Sequence, residues 1–71
     1  MRSKAHCVLK LYDYLMKDKD VIMEEFMKEY KISSRTFRRY INEINQYLID
    51  SSVSKKAYFN RVRNSYVLKE I

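Results

Sequence analysis

The sequence predicts a mainly α-helical α+β fold, three helices followed by a C-terminal β-hairpin, and three observations carry that prediction. Apolar side chains recur at three- and four-residue spacing from residue 5 to residue 48. Beyond Asp50-Ser51-Ser52 the chain turns to aromatic and β-branched residues at the density of strands. The 71 residues include no glycine and no proline, so every turn falls to Asn, Asp, Ser or Lys, which favours helices with short links over a β-sandwich.

The first helix is expected over residues 3 to 18, where Ala5, Val8, Leu9, Tyr12, Leu15 and Met16 share one face. Lys17-Asp18-Lys19-Asp20 is a polar break, and Val21 after it is read as a single extended residue. A second helix, residues 23 to 31, turns Met23, Phe26, Met27 and Tyr30 inward and carries Glu24 and Glu25 in its first turn, where carboxylates suit the helix dipole. The third helix, residues 33 to 49, has the clearest start: Ser33 is a good N-cap, and Ile32 before it can pack on Phe37 as a hydrophobic staple. Phe37, Ile41, Ile44 and Leu48 then form an apolar stripe, and Arg35, Arg39, Asn42 and Gln46 repeat the same spacing on the opposite side. Residues 55 to 62 and 66 to 71 are the strands of a hairpin over 55–71, turning at Arg63-Asn64-Ser65, where Asn64 tolerates a left-handed conformation. Tyr66 and Leu68 face inward, while the first strand does so either through Ala57 and Phe59 or through Tyr58.

A chain of this length makes one domain, residues 1 to 71, and has little surface to bury. Cys7 alone rules out an intrachain disulfide, and neither it nor His6 has the neighbours that a metal site needs, so apolar packing must supply the core. Both are read as structural or surface residues. No signal peptide or membrane span is visible, and a cytoplasmic, nucleoid-associated location with a reduced thiol is expected. Without glycine there is no phosphate-cradling loop and no nucleophile elbow. Glu24 with Glu25, and Asp18 with Asp20, sit beside lysines as solvated charges, so neither an enzyme nor a cofactor is expected.

Charge is distributed unevenly. Residues 1 to 30 balance Arg2, Lys4, Lys10, Lys17, Lys19 and Lys28 against Asp13, Asp18, Asp20, Glu24, Glu25 and Glu29. Residues 31 to 63 set Lys31, Arg35, Arg38, Arg39, Lys55, Lys56, Arg61 and Arg63 against Glu43 and Asp50 alone, and this stretch holds the whole net charge of +6. Such concentration marks an anion-binding surface.

Two helices joined by a short turn, the second basic on its outer face, and a basic hairpin behind them fit duplex DNA. A helix enters the major groove and offers Arg to guanine edges and Asn or Gln to adenine edges, while a hairpin lies along the neighbouring backbone or minor groove. Arg35, Arg38 and Arg39 occupy the first two turns of their helix, where each opposes the helix dipole by roughly 0.3–1 kcal/mol. Folding gains nothing from that placement. A phosphate there meets both the arginines and free backbone N–H groups. The expected partner is double-stranded DNA, with Arg35, Arg38, Arg39 and Asn42 on the groove helix and Lys55, Lys56, Arg61 and Arg63 of the hairpin holding the backbone.

The run from Ile22 to Ile44, I-M-E-E-F-M-K-E-Y-K-I-S-S-R-T-F-R-R-Y-I-N-E-I, resembles the helix-turn-helix of DeoR-type winged-helix bacterial regulators. The segment from Ser33 to Arg39 carries the likeness most specifically, and Tyr66-Val67-Leu68 is similar to the close of the family's wing. The resemblance implies a three-helix winged helix-turn-helix in which Ser34, Arg35 and Arg38 approach bases and Ser33, Thr36 and Arg39 approach phosphates. Lys31 stands where the family has its turn glycine, at a conformational cost if its φ is positive. Ile22 replaces the N-cap Thr and Tyr40 an Asp. Members of that family usually carry a further sensor or oligomerisation domain, whereas this chain is expected to be a stand-alone winged helix, a small transcriptional regulator or mobile-element control protein.

Two other readings stand beside this one. A winged helix can bind protein, as an adaptor or inhibitor that is phage or mobile-element encoded, with its basic face turned to an acidic partner. RNA is less favoured, because the deep, narrow groove of its duplex excludes a helix. The first helix also has a second apolar stripe, Cys7, Leu11 and Tyr14. Either the rest of the fold wraps far enough to cover it, or it is the interface of a homodimer or a protein partner, as a two-fold reader of palindromic DNA would use.

Overall fold

The computed structural model describes residues 3–17 and 20–71. Its elements run α1 (Lys4–Met16), β1 (Val21–Ile22), α2 (Met23–Tyr30), α3 (Ser34–Asp50), β2 (Lys55–Asn60) and β3 (Ser65–Glu70). The strands form an antiparallel sheet in the order β1-β3-β2. Three helices with a C-terminal hairpin make the expected winged helix-turn-helix, and the hairpin gains a third strand. Val21 is not a lone extended residue: Val21 pairs with Tyr66 and Ile22 with Ser65. Asp18 and Lys19, within the expected polar break, lie outside the described residues.

Each helix start has its own cap. In α1 the Ser3 hydroxyl accepts from the His6 N–H at 3.2 Å. In α3 the Ser33 hydroxyl accepts from the Thr36 N–H at 3.2 Å and donates to Thr36 Oγ1 at 3.1 Å. Among the described residues no side chain caps α2; the Asn64 carbonyl in the hairpin turn accepts from the Met23 N–H at 3.1 Å instead. The far end of α2 closes on Lys31, which is left-handed at φ 53 and ψ 50, and the Ile32 N–H reaches back to the Met27 carbonyl at 3.0 Å. That bond is the six-to-one closure of a Schellman end, the place where glycine is commonest.

The core is threaded by aromatic rings. Tyr14 meets Phe26 edge-on at 6.4 Å, Phe26 meets Phe37 at 5.5 Å, Phe37 meets Tyr66 at 5.4 Å and Tyr66 meets Phe59 at 5.2 Å. This series joins α1, α2, α3, β3 and β2. Leu11, Leu15, Ile41, Ile44 and Leu48 fill the space around it.

The inward face of α1 is Cys7, Leu11 and Leu15, of which Leu15 alone belongs to the face expected from the spacing, while Val8 and Tyr12 of that face pack at the core's margin. Ala5 is exposed, Leu9 is 66% exposed and Met16 43%, and Val8 and Tyr12 are only partly buried. The candidate interface at Cys7, Leu11 and Tyr14 is therefore corrected: Cys7 and Leu11 are buried within the single chain, and Tyr14 packs on Phe26. Two apolar stripes of similar strength left the choice to tertiary packing, and α1 lies against α3, β1 and β3 together, so the fold covers the stripe itself.

The hairpin turns over Arg61 to Asn64, beginning two residues and ending one residue earlier than expected: the Asn60 carboxamide oxygen accepts from the Val62 N–H at 3.0 Å and Asn64 takes φ 50. Ala57 is buried, and Phe59, on the same face of β2, packs on Tyr66 directly across the ladder. The outward-directed backbone of Ala57 is met by Asn45 of α3: its Oδ1 accepts from the Ala57 N–H at 2.8 Å and its Nδ2 donates to the Ala57 carbonyl at 3.5 Å. One side chain thus takes the place of a neighbouring strand at this edge.

Left-handed backbone costs a residue with a Cβ about 1–2 kcal/mol, and glycine gives part of that back as lost chain entropy. Lys31→Gly should therefore raise stability by about 0.5–1 kcal/mol, seen as a higher midpoint in thermal unfolding. Asn64→Gly should change it less, since Asn tolerates the conformation.

Candidate nucleic-acid interface

The orientation of α3 is set by what its flanks touch. With roughly 100° between successive residues, the buried line Phe37, Tyr40, Ile41, Ile44 and Leu48 leaves Arg35, Arg39, Asn42 and Gln46 on the opposite side, all exposed. Glu43 marks the α1 flank, where its carboxylate meets Lys4 Nζ at 3.0 Å. Asn45 marks the hairpin flank through its bonds to Ala57. Arg38 is two turns before Asn45 and shares its flank, so it stands on the hairpin side. Arg35 and Asn42, also two turns apart, lie on the open face between the flanks.

At the helix start, Ser33 and Thr36 are occupied with each other as a cap, and Ser34 is partly buried beside Met23, Met27 and Asn64. Arg39 and Asn42 border a shallow groove shared with Lys4, Thr36, Tyr40 and Glu43. Among the described residues, no ion pair engages Arg35, Arg38 or Arg39.

The first turn of α3 carries no acid, whereas α2 has Glu24 and Glu25 in its own. The two helices of the pair thus treat their dipoles in opposite ways: α2 neutralises its positive end and α3 adds positive charge to it. An anion at the start of α3 would offset that charge.

The four basic residues of the hairpin fall into two groups. Arg61 and Arg63 are in the turn, whose Asn64 lies beside the starts of α2 and α3. Lys55 and Lys56 begin β2, at its opposite end, about 16 Å away for a strand of this length. Lys56 extends its ammonium over the Tyr58 ring at 5.6 Å, and Lys55 lies across from Glu70. Arg63 is committed to an ion pair, Nη1 to Asp20 Oδ2 at 2.9 Å. Two residues organise this surface in ways sequence reasoning missed: Asn45, which it did not single out, and Asp20, which it read as a solvated charge and which instead pairs with Arg63. For Asn45 the available signal was a polar side chain at the border between apolar stripe and polar ladder; Asp20 had none, because its partner is distant in the chain.

A helix-turn-helix with its second helix basic and open, and a wing packed beside it, defines a class of nucleic-acid-binding domain. The family model of the Mga helix-turn-helix domain matches residues 4–61, and the chain belongs to that family. It is a helix-turn-helix DNA-binding domain; the match supports that reading and not the DeoR-type assignment. No curated protein and no solved structure matches the chain significantly. Among the described residues, no helix is long and apolar enough to cross a membrane.

Ser33→Ala removes the hydroxyl that serves the Thr36 N–H and should cost about 1 kcal/mol in chemical denaturation. Ser33→Asp should keep the stability, by accepting the same bond, while weakening duplex binding by placing a carboxylate at the arginine-rich helix start.

Proposed function

We propose that this domain binds double-stranded DNA sequence-specifically and serves in transcription control. Helix α3 lies in the major groove, with Arg35, Arg38 and Asn42 reading base edges and Arg39 and the helix start meeting phosphates. Arg61 in the hairpin turn and Lys56 on the strand hold the flanking backbone. The observation that carries this reading is the open face of α3, where Arg35, Arg39 and Asn42 are aligned and exposed, the arginines in no ion pair among the described residues and at the helix end their charge destabilises. The local likeness to DeoR-type regulators is kept only as support for the roles of Ser34, Arg35 and Arg38 near bases.

If four to six basic groups reach phosphates, log affinity for duplex DNA should fall against log salt with a slope of about −4 to −5, at ~0.9 per contact. Binding titrations over a range of salt read this directly. A flat dependence, or no binding at low salt, would reject the proposal in favour of an acidic protein partner.

Reading and holding separate by mutation once an enriched site has been selected from random duplexes. Arg35→Ala or Asn42→Ala should reduce discrimination between that site and random DNA by ~1–3 kcal/mol, while Lys56→Ala should weaken both equally. The assignment is wrong if the strand lysine alters preference and the helix residues do not.

A further inference from the structure

The turn of the hairpin is held by three contacts that leave its two arginines unequal. Asn60 accepts from the Val62 N–H at 3.0 Å, the Asn64 carbonyl accepts from the Met23 N–H at 3.1 Å, and Arg63 meets Asp20 at 2.9 Å. Asp20 immediately precedes β1, which is itself paired to β3, and its side chain is 27% exposed. The Arg63 guanidinium is thereby drawn toward the start of the helix-turn-helix. No such contact engages Arg61 among the described residues, and Val62 beside it is 94% exposed.

We propose that Arg63 is a positioning residue and not a phosphate contact: paired with Asp20, it fixes the hairpin turn against the start of α2, and Arg61 is the arginine of the turn that meets the backbone. The inference rests on duplex DNA being the partner. The Arg63–Asp20 pair carries no net charge, and a phosphate brought to Arg63 would also approach the Asp20 carboxylate, so the site has little counterion release to gain. An ion pair at this exposure would fix little by itself. Here it acts on segments already joined by the β1–β3 ladder and by the Asn64 bond to Met23. Asn64 also lies with Ser34 and Met23 along one small depression, so where the turn sits decides the spacing between the wing and the start of α3.

The salt dependence of duplex binding distinguishes the two roles, measured on the full chain with the enriched site for the wild type, Arg61→Gln, Arg63→Gln, Asp20→Asn and the Asp20→Asn/Arg63→Gln double variant. Arg63→Gln should leave the slope unchanged, whereas Arg61→Gln should flatten it by about 0.9. Asp20→Asn, which frees Arg63, should steepen it by about 0.9, and the double variant should return to the wild-type slope. Preference for the site over random duplex should fall about three- to tenfold in Asp20→Asn and in Arg63→Gln, and no further in the double variant. Without DNA, hydrogen exchange of the Met23 amide should be faster in both single variants. Arg63→Gln flattening the slope by about 0.9 in the presence of Asp20, or unchanged Met23 exchange in both variants, overturns the proposal. Loss of slope and preference in the wild type itself is the separate failure of the DNA reading, and the exchange measurement then still decides the clamp.

Discussion

The packing of Phe37 is the constraint on which the rest of the molecule depends. Its ring is fully buried between Phe26 of α2 and Tyr66 of β3, so one side chain joins both members of the helix pair to the sheet. Because a helix is rigid about its axis, locking position 37 inward also turns Arg35 and Asn42 outward and sends Arg38 toward the hairpin. The surface chemistry is set by the core contact two residues away. Truncating such a ring costs about 3–5 kcal/mol in ordinary cores, a large share of the roughly 4–11 kcal/mol that about 0.05–0.15 kcal/mol per residue gives a chain this size.

A small core leaves little to spend against electrostatic discomfort, which makes the placement of three arginines at one helix start informative. The neighbouring helix shows that the chain can place carboxylates there, as Glu24 and Glu25 do. The difference between α2 and α3 is therefore one of position relative to the open face: α2 starts against the hairpin turn, whose Asn64 carbonyl meets its first N–H, whereas the first two turns of α3 present Arg35, Arg38 and Arg39 to solvent. Left-handed Lys31 ends α2 and begins the turn between them.

Much of this was legible in the chain, and the failures have a common form. Ser33, the Phe37 stripe and the basic ladder of α3 are local, periodic signals, and the helix follows them to within a residue or two. Lys31 and Asn64 could be picked out because a left-handed turn without glycine has few candidates. What could not be read was any choice that depends on distant partners. Helix α1 offers two apolar stripes, and only the combined surface of α3, β1 and β3 buries Cys7 and Leu11 of one together with Leu15 of the other. Val21 and Ile22 are too few to announce a strand until Ser65 and Tyr66 lie beside them. Charge counting placed Arg63 with the other wing cations because its acid comes from across the fold.

The bonds between Asn45 and Ala57 bear on how these molecules behave in a crowd. A three-stranded sheet has two open edges, and an open edge with unpaired N–H and carbonyl groups is a template for aggregation. One edge here is β1, only Val21 and Ile22 long, too short to seed a ladder. The other is β2, a full six residues. Asn45 occupies the Ala57 backbone near its middle, and Lys55 and Lys56 put charge at its beginning. A foreign strand would have to displace a helix-borne carboxamide and approach two ammonium groups before making its second hydrogen bond. The residue that seats the wing on α3 is thus also the one that occupies the open edge of β2 at Ala57.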